Sequence, residues 1–101
     1  MVQINWTFQA KDDLKNIAEY ISKDSAKYAQ LQISRIKLRT QIIKKQIYAG
    51  KITPEINDPN IRELVEGNYR IIYRLKSENS ISILTVHHSA RDFNKRKGSF
   101  K

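Results

Sequence analysis

The chain has no cysteine, which excludes disulfides, thiolate metal sites and a cysteine nucleophile. Two prolines and three glycines are spread over 101 residues, too few for a linker-rich or low-complexity chain. There is no run of about 18 apolar residues to span a bilayer. Residues 1–6 lack the basic start and apolar core of a secretory signal. A small cytoplasmic protein is therefore expected. The two histidines are adjacent, His87 and His88, and neighbours on a strand point to opposite faces, so they do not share one ion. With no Gly-rich phosphate loop and no helix-borne His/Glu motif, no metal or cofactor is expected.

Acidic residues are also scarce: ten, against nineteen lysines and arginines, for a net charge of +9. The excess is concentrated. Residues 25–50 carry six basic and no acidic side chains, and residues 69–101 carry eight basic and two acidic. The blocks before them, 1–24 and 51–68, are mildly acidic. Such a distribution suits a nucleic-acid-facing surface, and equally one covered by an acidic protein partner.

What is present is enough for one folded domain. Forty per cent of residues are hydrophobic, which supports a single modest core. Val2, Ile4 and Trp6 alternate with polar residues as a short strand. Thr7 is a candidate helix N-cap. Leu14, Ile17, Ala18 and Ile21 then recur at helical spacing, with Asp12 and Asp13 near the start and Glu19 as helix-surface charges. After a polar break at residues 22–25, Ala29, Ile33, Ile36, Ile43 and Ile47 predict a second, long helix stopping before Gly50. Tyr20, Tyr28 and Tyr48 are expected at the core or its boundary.

Residues 51–60 hold both prolines and read as loop. Residues 61–66, 69–76 and 80–88 read as three antiparallel strands, the first two joined at Gly67-Asn68. Strand 69–76 alternates cleanly, with Tyr69, Ile71, Tyr73 and Leu75 on one face and Arg70, Ile72, Arg74 and Lys76 on the other. Continued alternation sets His87 with Ile81, Ile83 and Thr85, and His88 with Ser82, Leu84 and Val86. Arg70 and Arg74 can reach one anion, for which the guanidinium fork suits phosphate; alternatively they hold carboxylates such as Glu63 or Glu66 across the hairpin. A histidine near neutral pKa can act as general acid or base. Residues 1–93 form the expected domain, and 94–101 a basic tail, with the chain frayed from Ser89 onward.

The strings Ala10-Lys11-Asp12-Asp13-Leu14 with Ile17 and Tyr20-Ile21, then Ile61-Arg62-Glu63-Leu64, Gly67-Asn68-Tyr69-Arg70-Ile71-Ile72-Tyr73-Arg74, and Val86-His87-His88-Ser89-Ala90-Arg91-Asp92-Phe93, follow one another in an order that resembles the RelE/ParE superfamily of type II toxin–antitoxin toxins. The resemblance implies an α+β fold, strand, helical hairpin and three further strands, with the hairpin packed on a small antiparallel sheet. It implies a toxin silenced by a protein antitoxin with an acidic, partly helical tail. Arg35, Arg39, Arg62, Arg70, Arg74 and Arg91 would meet that antitoxin or the target. The ParE-like branch, which poisons DNA gyrase on cleaved DNA, is closer, given the basic hairpin and Pro54-Glu55. A RelE-like ribosome-dependent mRNA endoribonuclease is the alternative, with Arg70, His87, His88 and Arg91 as its catalytic groups. A third reading is an inactive antitoxin-binding homologue.

Overall fold

The computed structural model describes residues 1–91 and 93. The elements are β1 (Gln3–Trp6), α1 (Phe8–Ser22), α2 (Ala26–Arg39), a 3-10 segment (Thr40–Lys44), β2 (Lys51–Ile52), β3 (Ile61–Glu66), β4 (Tyr69–Ser77) and β5 (Ser80–His88). The five strands lie in the order β1-β5-β4-β3-β2. β1 runs parallel to β5, and the other pairs are antiparallel. The expected α+β order is therefore present, with β1 on the edge beside β5 and a two-residue β2 where only loop was expected.

Local chemistry sets the helix ends. Thr7 Oγ1 accepts from Ala10 N (3.2 Å) and donates to Ile83 O (2.7 Å), so one hydroxyl caps α1 and ties it to β5. Ser25 caps α2 by accepting from Tyr28 N. The long second helix is a correction: regular α-structure stops at Arg39 and tightens into 3-10 turns. The buried Thr40 donates to Lys37 O (2.7 Å), a local bond that competes with helix continuation. The β-branched residues Ile42 and Ile43 follow it, which weakens helix propensity further.

The hairpin packs on one sheet face. Ala10, Leu14 and Ile36 meet Tyr69, Ile71, Tyr73, Leu75, Ile81, Ile83 and Val86 in the main core. The opposite face carries a second, smaller core of Ile61, Ile72 and Phe93, with Ile56 and Leu84 against it. Phe93 is only 2% exposed, so the expectation of fraying from Ser89 onward fails at that residue. The basic tail, residues 94–101, lies outside the described residues.

β5 contains the irregularity that decides where the histidines go. Tyr73 pairs with Ile83 but Ile72 pairs with Thr85, leaving Leu84 as an extra residue. A bulge of this kind reverses the alternation of everything beyond it. His88 consequently lies opposite Tyr69, on the hairpin side with Ile81, Ile83 and Val86, and His87 lies opposite Arg70 on the other face. The face assignment expected from strict alternation is corrected accordingly.

Beside the bulge, Thr85 Oγ1 and Val86 N (3.0 Å) both donate to Asp13 Oδ2, while Gln9 Nε2 donates to Oδ1. Asp13 is therefore a buried clamp between α1 and β5 rather than the helix-surface charge expected. Gly50 is required by crowding: a Cβ there would sit 2.5 Å from Glu63 O and 2.8 Å from the Tyr73 hydroxyl.

Candidate functional site

On the sheet face away from the hairpin, Arg70 is fully engaged. Its Nη1 and Nη2 donate to the two carboxylate oxygens of Glu55 at 2.8 and 2.7 Å. Nη2 and Nε donate to Glu63 at 2.6 and 3.3 Å. The Phe93 ring lies 5.0 Å from the guanidinium carbon. The Arg70 side chain is 13% exposed and that of Glu63 3%. Hydrogen bonds from Arg70 are the largest effect on Glu55 and hold its carboxyl below the usual range. The same pairing, Glu55 first, raises Arg70 further above its already high value. Two carboxylates on one guanidinium leave this cluster formally anionic, with Lys51 Nζ 3.9 Å from Glu63.

His87 shares this face. Its Nε2 lies 3.1 Å from Arg91 O, and its ring meets Phe93 edge-on with centroids 5.3 Å apart. Of the two readings open for Arg70, the one in which it holds carboxylates describes the geometry. Glu63 is the partner named from sequence. Glu55 is the partner that sequence reasoning missed, because it arrives from the 53–60 loop rather than along a strand.

The other two nuclease candidates lie elsewhere. His88 and Arg91 line a cleft of about 300 Å³ together with Asn16, Ile17 and Tyr20 of α1, Tyr69 of β4, and Asp13, and His87 also borders it. His88 packs edge-on against Tyr69, centroids 5.3 Å apart. Its Nδ1 accepts from Ala90 N (3.1 Å), and its carbonyl accepts from Arg91 N (3.0 Å). These two bonds shape the turn that presents Arg91, which is exposed. Burial pushes the Tyr69 hydroxyl up; the nearby Tyr28 and Tyr20 add to this and Arg91 opposes it. Tyr20, Tyr69, His88 and Arg91 thus share one cleft. Tyr20, at 69% exposure, is a correction to its expected place at the core or boundary, as are the exposed Tyr28 and Tyr48.

The remaining basic candidates do not form one patch. Arg35 is exposed on α2, and Arg39 Nε donates to Val65 O (3.1 Å). Arg62 donates to Pro59 O and Gly50 O at 3.0 Å each and stacks on Tyr48. Arg74 lies half-buried on β4, opposite Ile61 and Ser82. Trp6 of β1 and Leu14, Ala18 and Ile33 of the hairpin line a shallow apolar groove edged by Lys11, Lys15 and Lys37. No group of three or more His, Cys, Asp or Glu among the described residues is arranged to hold a metal ion. No helix there is long and apolar enough to cross a membrane.

Comparison with known proteins places this architecture. None of the curated proteins compared matches. Among solved structures, the toxin–antitoxin assembly titled "Chromosomal ParDE TA system from P. aeruginosa" is similar, with TM-score 0.71 and 22% identity over 87% of this chain and 96% of that one. A YoeB/ParE toxin from Agrobacterium tumefaciens has TM-score 0.59 and 15% identity, over 86% and 98% of the two chains. A heterotetrameric YoeB-YefM toxin-antitoxin complex from Staphylococcus aureus has TM-score 0.56 and 15% identity, over 87% and 97%. At these identities the likeness is one of fold. The family model described as the ParE toxin of the type II toxin-antitoxin system parDE matches residues 4–93. The chain belongs to that ParE toxin family, within the RelE/ParE superfamily.

Proposed function

We propose that this toxin acts in the ParE manner, holding DNA gyrase on cleaved DNA without chemistry of its own, and that a cognate acidic antitoxin silences it. The observation that carries this reading is the commitment of Arg70. Metal-free RNA cleavage needs a cation free to meet the phosphate as charge develops. Here the guanidinium is already spent on Glu55 and Glu63 and covered by Phe93. Of the other three nuclease candidates only His87 shares its surface; His88 and Arg91 line the cleft, which His87 also borders.

One observation favours the endoribonuclease reading. Arg70, His87, Glu55 and Glu63 lie together on one sheet face, and they are the residue types that supply a cation and a proton acceptor. That site would work only after Glu55 and Phe93 had moved off the guanidinium.

The antitoxin is assigned to the hairpin. An amphipathic helix lays its apolar side into a groove of this kind. Trp6, Ala18 and Ile33 provide the apolar floor, and Lys11, Lys15 and Lys37 complement acidic side chains. Arg35 and Arg39 extend the basic surface along α2. Arg70 and Arg74 contribute less, being held on the far side of the sheet, and Arg62, on the hairpin side opposite Tyr73, is engaged by Pro59 O, Gly50 O and the Tyr48 ring.

The test is purified toxin in a gyrase supercoiling assay, run beside mRNA on translating ribosomes. Inhibited supercoiling with accumulating cleaved DNA and intact mRNA is the expected result. Cut mRNA with unaffected gyrase would transfer the function to the Arg70 face.

A further inference from the structure

From the cleft between the C-terminal half of α1 and the end of β5, we infer that this toxin binds single-stranded nucleic acid directly. One unpaired base enters between Tyr20 and the His88–Tyr69 pair, and the adjoining phosphate is held by Arg91. The volume, about 300 Å³, suits a single planar ring system rather than a folded peptide element. Its aromatic walls come from three elements: Tyr20 on α1, Tyr69 on β4 and His88 on β5. Stacking on such faces tolerates any base, because every base has a π-face.

The exposure pattern follows the same division of labour. Tyr69 is buried and forms a fixed wall, held edge-on to His88. Tyr20 stands free of the core, as a residue does that contributes contact area to something outside the fold. Lys23 lies 5.9 Å over the Tyr20 ring. Arg91 lies at the cleft on a turn fixed by the His88 hydrogen bonds, where a guanidinium can meet a phosphate.

Repulsion is also managed. The carboxylate among the described lining residues is Asp13, and both its oxygens are occupied by Gln9, Thr85 and Val86. These donors leave its charge in place but direct its oxygens at α1 and β5, and Arg91 supplies an opposing charge at the lining. Asn16 supplies an amide at the wall for a base edge. The hairpin groove differs in kind: it is aliphatic, with lysines along its margin, and suits a helix better than a base.

The site is separate from the question of gyrase or ribosome, because it is read with toxin and oligonucleotide alone. Full-length toxin is titrated into fluorescein-labelled dT12, rU12 and a twelve-base-pair duplex, at several salt concentrations. Single strands of either sugar are expected to bind at least tenfold tighter than duplex. Tyr20→Ala is expected to weaken dT12 binding about tenfold, the loss of one stacked base. Arg91→Gln is expected to reduce the slope of log K against log salt by about 0.7, one phosphate contact on a single strand. Phe8→Ala is the control, an aromatic side chain 84% exposed at the other end of α1, and is expected to leave binding unchanged. Ring-proton NMR signals of Tyr69 and His88 are expected to shift when dT12 is added. Equal affinity for duplex, or an unchanged Tyr20→Ala, would overturn the site. So would a Tyr20→Ala that loses antitoxin but keeps dT12, since the cleft would then be a protein contact.

Discussion

The two faces of the sheet use the same kinds of residue for opposite ends. On the face away from the hairpin, Arg70 and His87 are enclosed by Glu55, Glu63 and Phe93. On the hairpin side, one register position along, His88 and Arg91 border an open cleft with Tyr20. An arginine on a rigid strand is therefore not by itself an anion site. What distinguishes the two is whether carboxylates reach the guanidinium first. Breaking each region separately tests that distinction, because the enclosed cluster governs stability and the open one governs binding.

The largest effect is expected at Arg70. Arg70→Ala leaves Glu63, almost wholly buried, and Glu55 facing each other with only the exposed Lys51, 3.9 Å from Glu63, as a cation. Breaking a buried pair in this way costs about 3–5 kcal/mol, a large share of the stability of a domain this size. Urea unfolding is expected to shift to a much lower midpoint, with Arg70→Lys falling between. An Arg70→Ala protein of native stability would mean that the cluster is loose, and would return Arg70 to the list of available cations.

Asp13 is expected to come next. Asp13→Asn keeps the shape but removes the charge that receives Thr85 Oγ1 and Val86 N. Charge-assisted bonds of this kind are worth about 2 kcal/mol. Because they join α1 to β5, hydrogen exchange is expected to accelerate along both elements, which distinguishes this loss from one confined to a loop.

Most of the fold was legible in the sequence, and the failures have a common cause. Alternation in β4 put Tyr69, Ile71, Tyr73 and Leu75 on one face, and the main core contains all four. Thr7 was legible as a cap candidate because capping is local chemistry. His87 and His88 were misassigned because one extra residue at Leu84 inverts a period of two, and no residue type announces a bulge. Arg70's second partner was hidden for a related reason. Glu55 lies fifteen residues away in a loop, and only tertiary folding decides which strand that loop covers. Phe93 fell in the stretch expected to fray from Ser89 onward, although it closes the second core. Tyr20 was read as a boundary residue because aromatic side chains usually are, and its exposure became visible only with the helix ends fixed.

A smaller, pH-dependent effect is expected from Glu55→Gln. The folded-state pKa of Glu55 is depressed, with hydrogen bonding from Arg70 the main cause. Its ionised form therefore stabilises the fold above the unfolded value, 4.5, and that contribution is lost as pH falls through the lowered folded value. Partial solvent exposure limits it to about 1 kcal/mol. Wild type is expected to exceed Glu55→Gln in urea midpoint at pH 7, with the gap closing below pH 4.5. A gap constant across that range would mean that Glu55 contributes packing rather than charge.

The smallest stability change is expected on the open side, and its smallness is what the comparison requires. Tyr20 projects from the helix surface and Arg91 from an exposed turn, so Tyr20→Ala and Arg91→Gln remove little that the fold depends on. Surface substitutions of this kind fall within about 0.5 kcal/mol. Both variants are expected to unfold with wild-type midpoints while their nucleic-acid binding changes. If either variant instead lost as much stability as Asp13→Asn, the cleft would be a structural joint between α1 and β5, and both faces of the sheet would then be spent on holding the molecule together.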